Sequence, residues 1–412
     1  MGNNTPPDAN DYVIRVVESP LEVDADQWNA LLFAQTDATP FMQHAYLAAL
    51  HRTDCATPRT GWSPRFVLLE RQGQLVGACA LYLKTHSHGE YVFDFGWANA
   101  YAQHGVAYYP KAVVAVPFTP VPGARLLAHT PQDRALLAQG LIEWCETQGL
   151  SGLHCLFAGA DDLQACQSVG MMQRHTVQFH WQNSPPIYAD FDEFLASLAP
   201  DKRKKIRQER RKVSDAGVSF RTSQGRDISP IDWDIFYRCY ERTYLEHGNA
   251  PYLSRAFFAE MAEHMADDWL LFTAERNGQP IATSLIAINA NYVRARGQKY
   301  HENPVRVAYG RYWGALERVD CLHFDACYYQ PLAWCIANGY TRFEGGAQGE
   351  HKLARALLPV ITTSAHWLSH PGFASAVQNF LDAEGRAMTG YVNELHERSP
   401  VKPNPASLRR GT

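Results

Sequence analysis

Three features of the hydrophobic pattern recur in the same order in the two halves of the chain. The segments "ERQGQLVGACAL", from Glu70, and "ERNGQPIATSLI", from Glu275, each indicate two strands joined by a tight turn that contains glycine. An amphipathic helical region precedes each of them, opened by Trp28 in the first half and by Trp233 in the second. The pattern therefore predicts a repeated unit in which helices lead into an antiparallel hairpin.

An apolar helix that ends in glycine follows each predicted hairpin and leads into a strand. These segments are "LIEWCETQGLSGLHCLF", with Gly149, and "LAWCIANGYTRFEGG", with Gly339, and both glycines suit helix C-termini. Chance recurrence of single matches is the alternative, but three landmarks in register argue against it. We predict a duplicated α/β domain with mixed sheets flanked by helices.

The prolines of "WQNSPPIYAD", residues 181–190, interrupt the pattern between the two copies. We predict a first domain over 12–183, a second domain over 186–395 with a basic helix at 201–216, and disordered tails over 1–11 and 399–412.

Composition limits the class of protein. The 412 residues are 46% hydrophobic and 19% charged, which is typical of a folded protein with two or three cores. A net charge of -4 gives no global reason for a nucleic-acid partner. Nine cysteines without a CxxC pair, and no evident leader or membrane-spanning run, favour a cytoplasmic protein with no integral membrane segment. No cofactor or metal is predicted, because no cluster has metal-ligand spacing.

The stretch "FEGGAQGEHKLARALLP", residues 343–359, concentrates polar side chains after a predicted strand. Its candidate site residues are Glu344, Gln348, Glu350, His351, Lys352 and Arg355. Paired glycines allow a ligand to approach the backbone closely, although an ordinary strand-to-helix loop also uses glycine. His351 can take a proton from an amine, with Glu344 and Glu350 as rivals, while Lys352 and Arg355 can hold a phosphate or polarise a carbonyl. The alternative is a solvated helix start.

Two further segments of the second copy carry candidate residues. "ANYVRARGQKYHEN" alternates as a strand would, which sends Arg294 and Arg296 to one face, where they meet an anion or, at a sheet edge, only solvent. "HFDACYYQ" places His323 and Asp325 before a helix, with Tyr328 or Tyr329 as the proton donor to a leaving group or as a core anchor.

The first copy and one loop of the second supply the remaining candidates for substrate binding. They are His88, Glu90, Asp94 and Arg125 in the first copy and His247 in "YLEHGNAPYL". His86 and His88 alternate, but no third ligand supports a metal there. We expect a cleft between the copies, although a plain turn around His247 is equally consistent with its glycine and proline.

The segment "DKRKKIRQERRKV" is strongly basic. Between 202 and 212 it contains the eight basic residues Lys202, Arg203, Lys204, Lys205, Arg207, Arg210, Arg211 and Lys212, opposed within the segment by Asp201 and Glu209. Such a stripe on a chain of negative net charge indicates a polyanion site, for which Lys204, Lys205, Arg207, Arg210 and Arg211 are the candidates. A solvated helix face is the default alternative.

The chain resembles a known family at this segment. "FLASLAPDKRKKIRQERRKVSDAGVSF" is similar to the "L..L..K.R..IR.....GV" signature of Fem-type ligases, matched by Leu195, Leu198, Lys202, Arg203, Ile206, Arg207, Gly217 and Val218. The segments "PFMQHAYLAAL", "HGEYVFDF", "PFTPVPGARLL", "HFDACYYQ" and "GAQGEHKLAR" are similar to FemAB-like predicted N-acyltransferases linked to peptidoglycan biosynthesis or recognition. The resemblance implies tandem GNAT-like (acyl-CoA N-acyltransferase) domains.

The same resemblance implies amide formation, with an acyl or aminoacyl group passing from an activated donor to a small amine or cell-wall precursor. The Gly-rich loop by which acetyl-CoA enzymes of this fold bind pyrophosphate is missing from "ACYYQPLAW" and from "HTPQDRALLAQG". Aminoacyl-tRNA is therefore favoured over acyl-CoA as the donor. A non-catalytic protein that recognises an amino sugar or peptide stem is the main alternative, and a structural tRNA-binding protein is a third.

Overall fold

The computed structural model describes residues 12–184, 187–300, 303–346 and 349–401. Within them the chain forms two compact units. The first unit comprises the residues up to 175 together with 362–385, and the second comprises 176–361 together with the residues from 386 on.

The strands and helices alternate along the chain. The strands are β1 (Tyr12–Val17), β2 (Trp62–Arg71), β3 (Gln74–Lys84), β4 (Lys111–Val114), β5 (Leu127–Ala128), β6 (Gly152–Cys155), β7 (Met172–Gln182), β8 (Val218–Gln224), β9 (Trp269–Arg276), β10 (Gln279–Ile288), β11 (Val307–Ala315), β12 (Arg342–Glu344) and β13 (Leu358–Leu368). The helices are α1 (Ala25–Ala34), α2 (His44–Arg52), α3 (Phe95–Gln103), α4 (Pro131–Thr147), α5 (Ala160–Ser168), α6 (Phe191–Ser197), α7 (Pro200–Asp215), α8 (Pro230–Glu246), α9 (Arg255–His264), α10 (Ala290–Tyr300), α11 (Leu322–Phe324), α12 (Gln330–Ala337) and α13 (Pro371–Glu397).

The sheet of the first unit has the order β1-β2-β3-β4-β6-β13, with the short β5 beside β3. Its neighbours are antiparallel except for β4 and β6, which are parallel. The apolar face of α4, with Leu137, Leu141 and Cys145, covers this sheet in one core cluster. Helix α4 ends as predicted, because Gly149, with φ 63°, follows its last turn.

The sheet of the second unit repeats this order of strands. It runs β8-β9-β10-β11-β12 and ends with the part of β7 from residue 176 on. Here too the neighbours are antiparallel except for one pair, β11 and β12. Each unit therefore contains an edge strand, a hairpin and a parallel pair, and the prediction of mixed sheets flanked by helices is confirmed.

Both predicted hairpins are present with the expected turns. Gln72 and Gly73 have φ values of 50° and 76°, and Asn277 and Gly278 have 53° and 73°. Two consecutive residues with positive φ are what a type I′ turn requires, and its twist matches that of the flanking strands. The pairs Arg71↔Gln74 and Arg276↔Gln279 close the two turns identically.

The boundaries differ from the predicted ones. Strand β7 runs unbroken from Met172 to Gln182, across the border at 175/176, and the two prolines of the predicted boundary lie outside the described residues. Residues 362–385 return to the first unit, because Ala365 of β13 pairs with Cys155 of β6. At the C-terminus Pro400 is buried and its carbonyl accepts from the Ala199 amide at 2.9 Å, so 399–401 are part of the fold. The rest of the predicted tails lies outside the described residues.

The segment around Arg294 and Arg296 forms helix α10 and not the predicted strand. Its first turn is fixed by Asp268, whose carboxylate accepts from the backbone and side-chain nitrogens of Asn291 at 2.9 and 2.7 Å. On this helix Arg294 is exposed and pairs with Asp267 at 2.8 Å. The basic row expected along a central strand is therefore absent from this segment.

Candidate functional site

The turn after β12 is shaped by its glycines. A side chain at Gly345 would lie 2.4 Å from Leu357, and the Gly345 amide donates to the Phe179 carbonyl at 3.2 Å. That amide is therefore already bonded and does not serve an oxyanion. Gly346 has φ 83° and Gly349 has φ 114°, which are values that side-chain-bearing residues rarely adopt. A 3-10 helix, Glu350–Arg355, follows, and the candidate Gln348 lies outside the described residues.

Lys352 lies at the centre of this turn. Its side chain is buried, with 4% exposure, and its Nζ donates to the Gly346 carbonyl at 2.9 Å. No carboxylate among the described residues pairs with it. Burial lowers the pKa of Lys352 to about 8, because a charged ammonium is poorly solvated there. Among the described residues, the turn thus holds one buried cation without a carboxylate partner.

His351, which precedes Lys352 in the chain, forms a hydrogen-bonded pair with Tyr328. The Tyr328 hydroxyl lies 3.1 Å from His351 Nε2, and the ring of His323 lies 5.7 Å from the Tyr328 ring. Burial lowers the pKa of His351, and Lys352 adds to this effect, while burial raises the pKa of Tyr328. Burial also lowers the pKa of His323 to about 4. At neutral pH the group therefore consists of neutral imidazoles, a protonated phenol and an ammonium.

Tyr328 reaches this position from an irregular helix. Residues Asp325–Tyr329 form a π-helical segment between α11 and α12. Such segments are rare and frequently occur at functional sites. Both tyrosines that the sequence offered are buried here, but they have different partners: Tyr328 contacts His351, and the Tyr329 hydroxyl donates to Glu209 of α7.

A second buried pair, Glu344 and His180, lies on neighbouring strands. Glu344 of β12 is opposite His180 of β7, with 3.9 Å between Oε2 and Nε2. Arg342 Nε lies 3.2 Å from the other carboxylate oxygen, whereas Oε2 has no hydrogen-bond partner among the described residues. Burial lowers the pKa of His180, and the positive charges of Arg342 and Lys352 act in the same direction against the opposing effect of Glu344.

Arg355 links the turn to helix α7. Its Nη2 lies 3.1 Å from both carboxylate oxygens of Glu209, its Nη1 donates to the His351 carbonyl at 2.7 Å, and its Cζ lies 3.5 Å from the Phe324 ring centre. The side chain is only 3% exposed. Its charge is paired with Glu209, so Arg355 holds the turn in place, and its predicted role in substrate binding stays a prediction.

Glu350 and His247, two other candidates, have local partners. Glu350 accepts from the Tyr391 hydroxyl at 2.7 Å and lies 3.6 Å from Arg398, which ties the turn to α13. The exposed His247 caps α8, with Nδ1 at 2.6 Å from the Thr243 carbonyl. Neither contact brings these two side chains to Lys352.

The basic helix α7 borders a cavity of about 730 Å³. Arg207, Arg210 and Arg211 line it together with Asp325 and Gln330. Asp325 accepts from Gln330 Nε2 at 3.0 Å and lies 3.7 Å from Arg210, and burial raises its pKa to about 6. The structure therefore brings the predicted residues Arg207, Arg210, Arg211 and Asp325 together, while Lys204 and Lys205 remain exposed along the same helix.

Glu90 and Asp94 of the first unit are buried around a lysine. Lys111 Nζ donates to Glu90 at 2.8 Å and also to Asp94, and all three side chains are buried. Burial raises the pKa of Glu90 to about 7. Both carboxylates thus share Lys111 as a buried partner, and their predicted role in substrate binding stays a prediction.

Arg125 and His88 of the first unit make local contacts. Arg125 is 1% exposed and donates to the carbonyls of Leu156 and Ala124 at 3.0 and 3.2 Å, so it fixes a loop. His88 is exposed, and its carbonyl accepts from the buried Lys84 Nζ at 3.2 Å. The cleft expected between the copies stays a prediction.

Sequence reasoning missed several buried polar residues. These are Lys84, Lys111, His154, His180 and His366, together with the structural partner role of Glu209. The signal was available for most of them, since each interrupts an apolar strand, as in "CALYLK" and "TTSAHWL". A charged or imidazole side chain in such a run must find a partner inside the protein.

The two mixed sheets, each with one parallel pair of neighbours, and the buried cation beside a strand end define a protein with the GNAT-like acyltransferase fold. The chain belongs to the FemAB-like family, described as peptidoglycan biosynthesis/recognition, whose model matches residues 19–403. No curated protein sequence matches the chain.

Solved structures share this fold at low sequence identity. FemX is 10% identical, with 88% of this chain and 100% of that chain covered and a TM-score of 0.52. The C-terminal domain of a putative lysylphosphatidylglycerol synthetase from Agrobacterium fabrum is 9% identical, with 88% and 97% covered and a TM-score of 0.52. L-PGS from Bacillus licheniformis is 10% identical, with 88% and 98% covered and a TM-score of 0.50. The predicted resemblance and fold class are confirmed.

Across the part of the chain that the structure describes, none of the helices combines the length and the apolar character needed to cross a membrane.

Proposed function

We propose that this protein is an acyltransferase that forms an amide, with Lys352 as the group that stabilises the oxyanion of the reaction. The observation that carries the proposal is the buried ammonium of Lys352, which no carboxylate among the described residues neutralises. An uncompensated buried charge is costly for stability, so its retention is expected where an anion develops. Membership of the FemAB-like family supports the same reaction class.

The residues around Lys352 supply the proton transfers. The amine attacks the carbonyl carbon of the activated ester or thioester, a C–N bond forms, and the carbonyl oxygen gains negative charge next to the Lys352 ammonium. Neutral His351 takes the amine proton, and the Tyr328 hydroxyl gives its proton to the leaving oxygen or sulfur as that bond breaks. The 3.1 Å contact between Tyr328 and His351 then returns the proton to the phenol, so the proton count balances.

Glu344 is the second candidate base. Its Oε2 atom is buried and has no hydrogen-bond partner among the described residues, and it lies 3.9 Å from Nε2 of His180. A carboxylate there can accept a proton from the ammonium form of the acceptor and deliver the neutral amine that the reaction needs. In this scheme Glu344 binds the acceptor, and His351 acts during the attack.

The donor that we propose is an aminoacyl-tRNA rather than an acyl-CoA. The exposed side chains of Lys204, Lys205 and Arg211 form a positive surface along α7, as a polyanionic donor needs. The resemblance to Fem-type ligases implies the same donor, and the name of one structural neighbour, lysylphosphatidylglycerol synthetase, also denotes aminoacyl transfer. A cytoplasmic location would give access to this donor, and the family description supports a cell-wall precursor as the acceptor.

A paired assay tests the proposal. Purified protein is given labelled aminoacyl-tRNA or labelled acetyl-CoA with a soluble extract of cell-wall precursors, and amide products are detected by mass spectrometry. Release of tRNA together with a new amide, lost in Lys352→Met, is the expected result. Saturable binding of a precursor with no consumption of either donor would instead identify a non-catalytic recognition protein.

A further inference from the structure

Two polar side chains, those of Asp325 and Gln330, lie at the two ends of the π-helical segment, and the acyl-transfer proposal uses neither of them. The Gln330 backbone amide donates to the Asp325 carbonyl, and Gln330 Nε2 donates to Asp325 Oδ1 at 3.0 Å. In an α-helix, which has about 3.6 residues per turn, side chains five residues apart point in different directions. The π-helical turn therefore brings this carboxylate and this amide together.

Both side chains line the cavity of about 730 Å³ beside α7. Asp325 Oδ2 and Gln330 Oε1 accept no hydrogen bond among the described residues. Both oxygens also have accessible surface, since the polar atoms of the described residues that lack both surface and a partner do not include them. The Asp325 side chain is only 5% exposed, so its exposed part faces the cavity that it lines. The cavity thus contains two neighbouring acceptor oxygens.

Arg210 of α7 supplies a donor at the same place. Its Nε lies 3.7 Å from Asp325 Oδ1, which is beyond hydrogen-bond distance. Its guanidinium lies 4.9 Å from the centre of the Phe191 ring, a contact that restricts its position. The Arg210 side chain is 37% exposed and makes no hydrogen bond with the described residues. Its Nη nitrogens are therefore free to donate to a ligand.

The Asp325 carboxylate is incompletely compensated by the described residues. Burial raises its pKa to about 6, and Arg210 and Gln330 oppose this effect only in part. The group is therefore ionised at neutral pH, with one hydrogen bond from a neutral amide. A buried carboxylate with so few donors costs free energy, so N–H donors of a ligand are expected beside it.

We propose that this cavity binds a guanine base, with N1–H and the N2 amino group donating to Asp325 and Gln330 and with O6 accepting from Arg210. The edge of guanine carries two adjacent donors beside an acceptor, whereas adenine and cytosine present one amino donor and uracil one N–H between two carbonyls. Phe220 of β8 lines the same cavity and offers an aromatic ring for stacking with the base. The exposed Arg211 also lines it and can hold a phosphate of the nucleotide.

The first experiment is a calorimetric titration of the full chain with GMP, AMP, CMP and UMP. We expect saturable binding of GMP that is about tenfold tighter, or more, than binding of the other three, because they lack one of the two adjacent donors. Equal affinity for all four nucleotides, or no saturable binding of GMP, would overturn the proposal. The titrations contain no acyl donor and no acceptor amine, so their outcome does not depend on acyl transfer.

Asp325→Asn tests the contact with the base. Asparagine keeps the shape of the side chain and an oxygen for Gln330, but it replaces one acceptor by an amide donor. GMP affinity should fall about ten- to a hundredfold, the usual effect of a hydrogen bond to a charged group. Xanthosine monophosphate, which has a carbonyl in place of the N2 amino group, should bind this variant more tightly than it binds the native protein.

Asp215→Asn is the matched control, because it removes the same charge from an exposed residue that lines the same cavity. It should change GMP affinity by less than about twofold, as is usual for an exposed charge. Equal losses of GMP affinity in the two variants would contradict the contact between Asp325 and guanine. A failure of Asp325→Asn to improve binding of xanthosine monophosphate would contradict it as well.

Guanine occurs both in free nucleotides and in unpaired stretches of RNA, and a second arm separates these sources. GMP is compared with a single-stranded hexanucleotide that contains one guanosine, and with the same hexanucleotide carrying adenosine instead. Tighter binding of the guanosine oligomer than of GMP identifies RNA, tighter binding of GMP identifies a free nucleotide, and both outcomes support the site. Oligomers that bind equally well with either base, together with GMP that binds no tighter than AMP, would overturn it.

Discussion

Lys352 donates a hydrogen bond of 2.9 Å to the carbonyl of Gly346, across a turn that begins where β12 ends. The acceptor is a backbone dipole, so it orients the ammonium without cancelling its charge. The positive φ of Gly346 allows the chain to bend so that this carbonyl meets the lysine. The relationship explains why adjacent glycines and a lysine occur together in this short stretch.

Replacing Lys352 with methionine should lower turnover about a hundredfold, because one electrostatic contact to the developing oxyanion is lost. The free energy of unfolding should not fall and is expected to rise, since an uncompensated buried charge is replaced by an apolar chain of similar length. Turnover and urea unfolding are measured on the same samples. Lys84→Met, which changes another buried lysine, is the matched control and should keep full turnover. Equal losses in both variants would contradict the role of Lys352.

The pH dependence of turnover distinguishes a cation from a base. The pKa of Lys352 is lowered to about 8, so the ammonium, and with it the activity, should decline above that pH. Between about 8 and the ordinary value of 10.5 the unfolded chain binds the proton that the folded chain has released. Stability should therefore rise with pH in this window, by more in the native protein than in Lys352→Met. Turnover that increases above pH 8 would show that the neutral amine acts as a base.

His351→Gln and Tyr328→Phe should each reduce turnover about a hundredfold, because each removes one end of the proton path. The double variant should lose little more than either single one, since both residues act as a unit. Tyr328→Phe keeps the ring that packs against His323. The exposed His264 supplies the control His264→Gln. Additive losses in the double variant would mean that the two side chains work in separate steps.

Donor binding by α7 should depend steeply on salt. Each phosphate contact contributes a slope of about 0.7 to 0.9 in a plot of log affinity against log salt concentration. Reversing Lys204, Lys205 and Arg211 to glutamate should flatten the slope for charged tRNA, whereas Arg226→Glu should not. Arg210 is left intact because it lies 3.7 Å from Asp325. Tight binding of acyl-CoA that is insensitive to salt, with no affinity for tRNA, would show that the other donor is correct.

The duplicated order of strands makes a structural prediction. Residues 12–175 with 362–385 and residues 176–361 with the residues from 386 on should superpose as two copies, with the turns at Gln72-Gly73 and Asn277-Gly278 in equivalent places. The measurement is a crystal structure of the chain, in which each copy is superposed separately. The duplication would be contradicted if the two turns joined strands at different positions in the strand orders of the two sheets.

The two hairpins and the end of helix α4 could be predicted from the residues of their own turns. The Gln-Gly and Asn-Gly turns follow from residues that tolerate positive φ, and the Gly149 helix end follows for the same reason. The segment around Arg294 and Arg296 was wrongly predicted to be a strand, because arginines two positions apart are typical of one face of a strand. In the structure the contact between Asp268 and Asn291 starts a helix there. That contact joins residues distant in the sequence, so no local pattern reports it.

The candidate site was predictable only in part, because several of its contacts also join residues that are distant in the sequence. The polar turn could be found from its composition, and the contact between His351 and Tyr328 joins two candidates that the sequence had singled out. The burial of Lys352 and the pairing of Arg355 with Glu209 depend on the packing of α7 against the turn, which the sequence does not report. The contact of Glu90 and Asp94 with Lys111 could not be predicted from the sequence, because a helix and a loop separate Lys111 from them.

Glu209 is part of α7, yet its carboxylate holds both Arg355 and the Tyr329 hydroxyl. Arg355 in turn donates to the His351 carbonyl, so two short contacts connect α7 to the backbone of His351. Tyr329 follows Tyr328 in the chain, so the same carboxylate also contacts the neighbour of the phenol. If a donor docks on α7 as we propose, its binding energy would be coupled to the geometry of His351 and Tyr328, and donor affinity and turnover would change together.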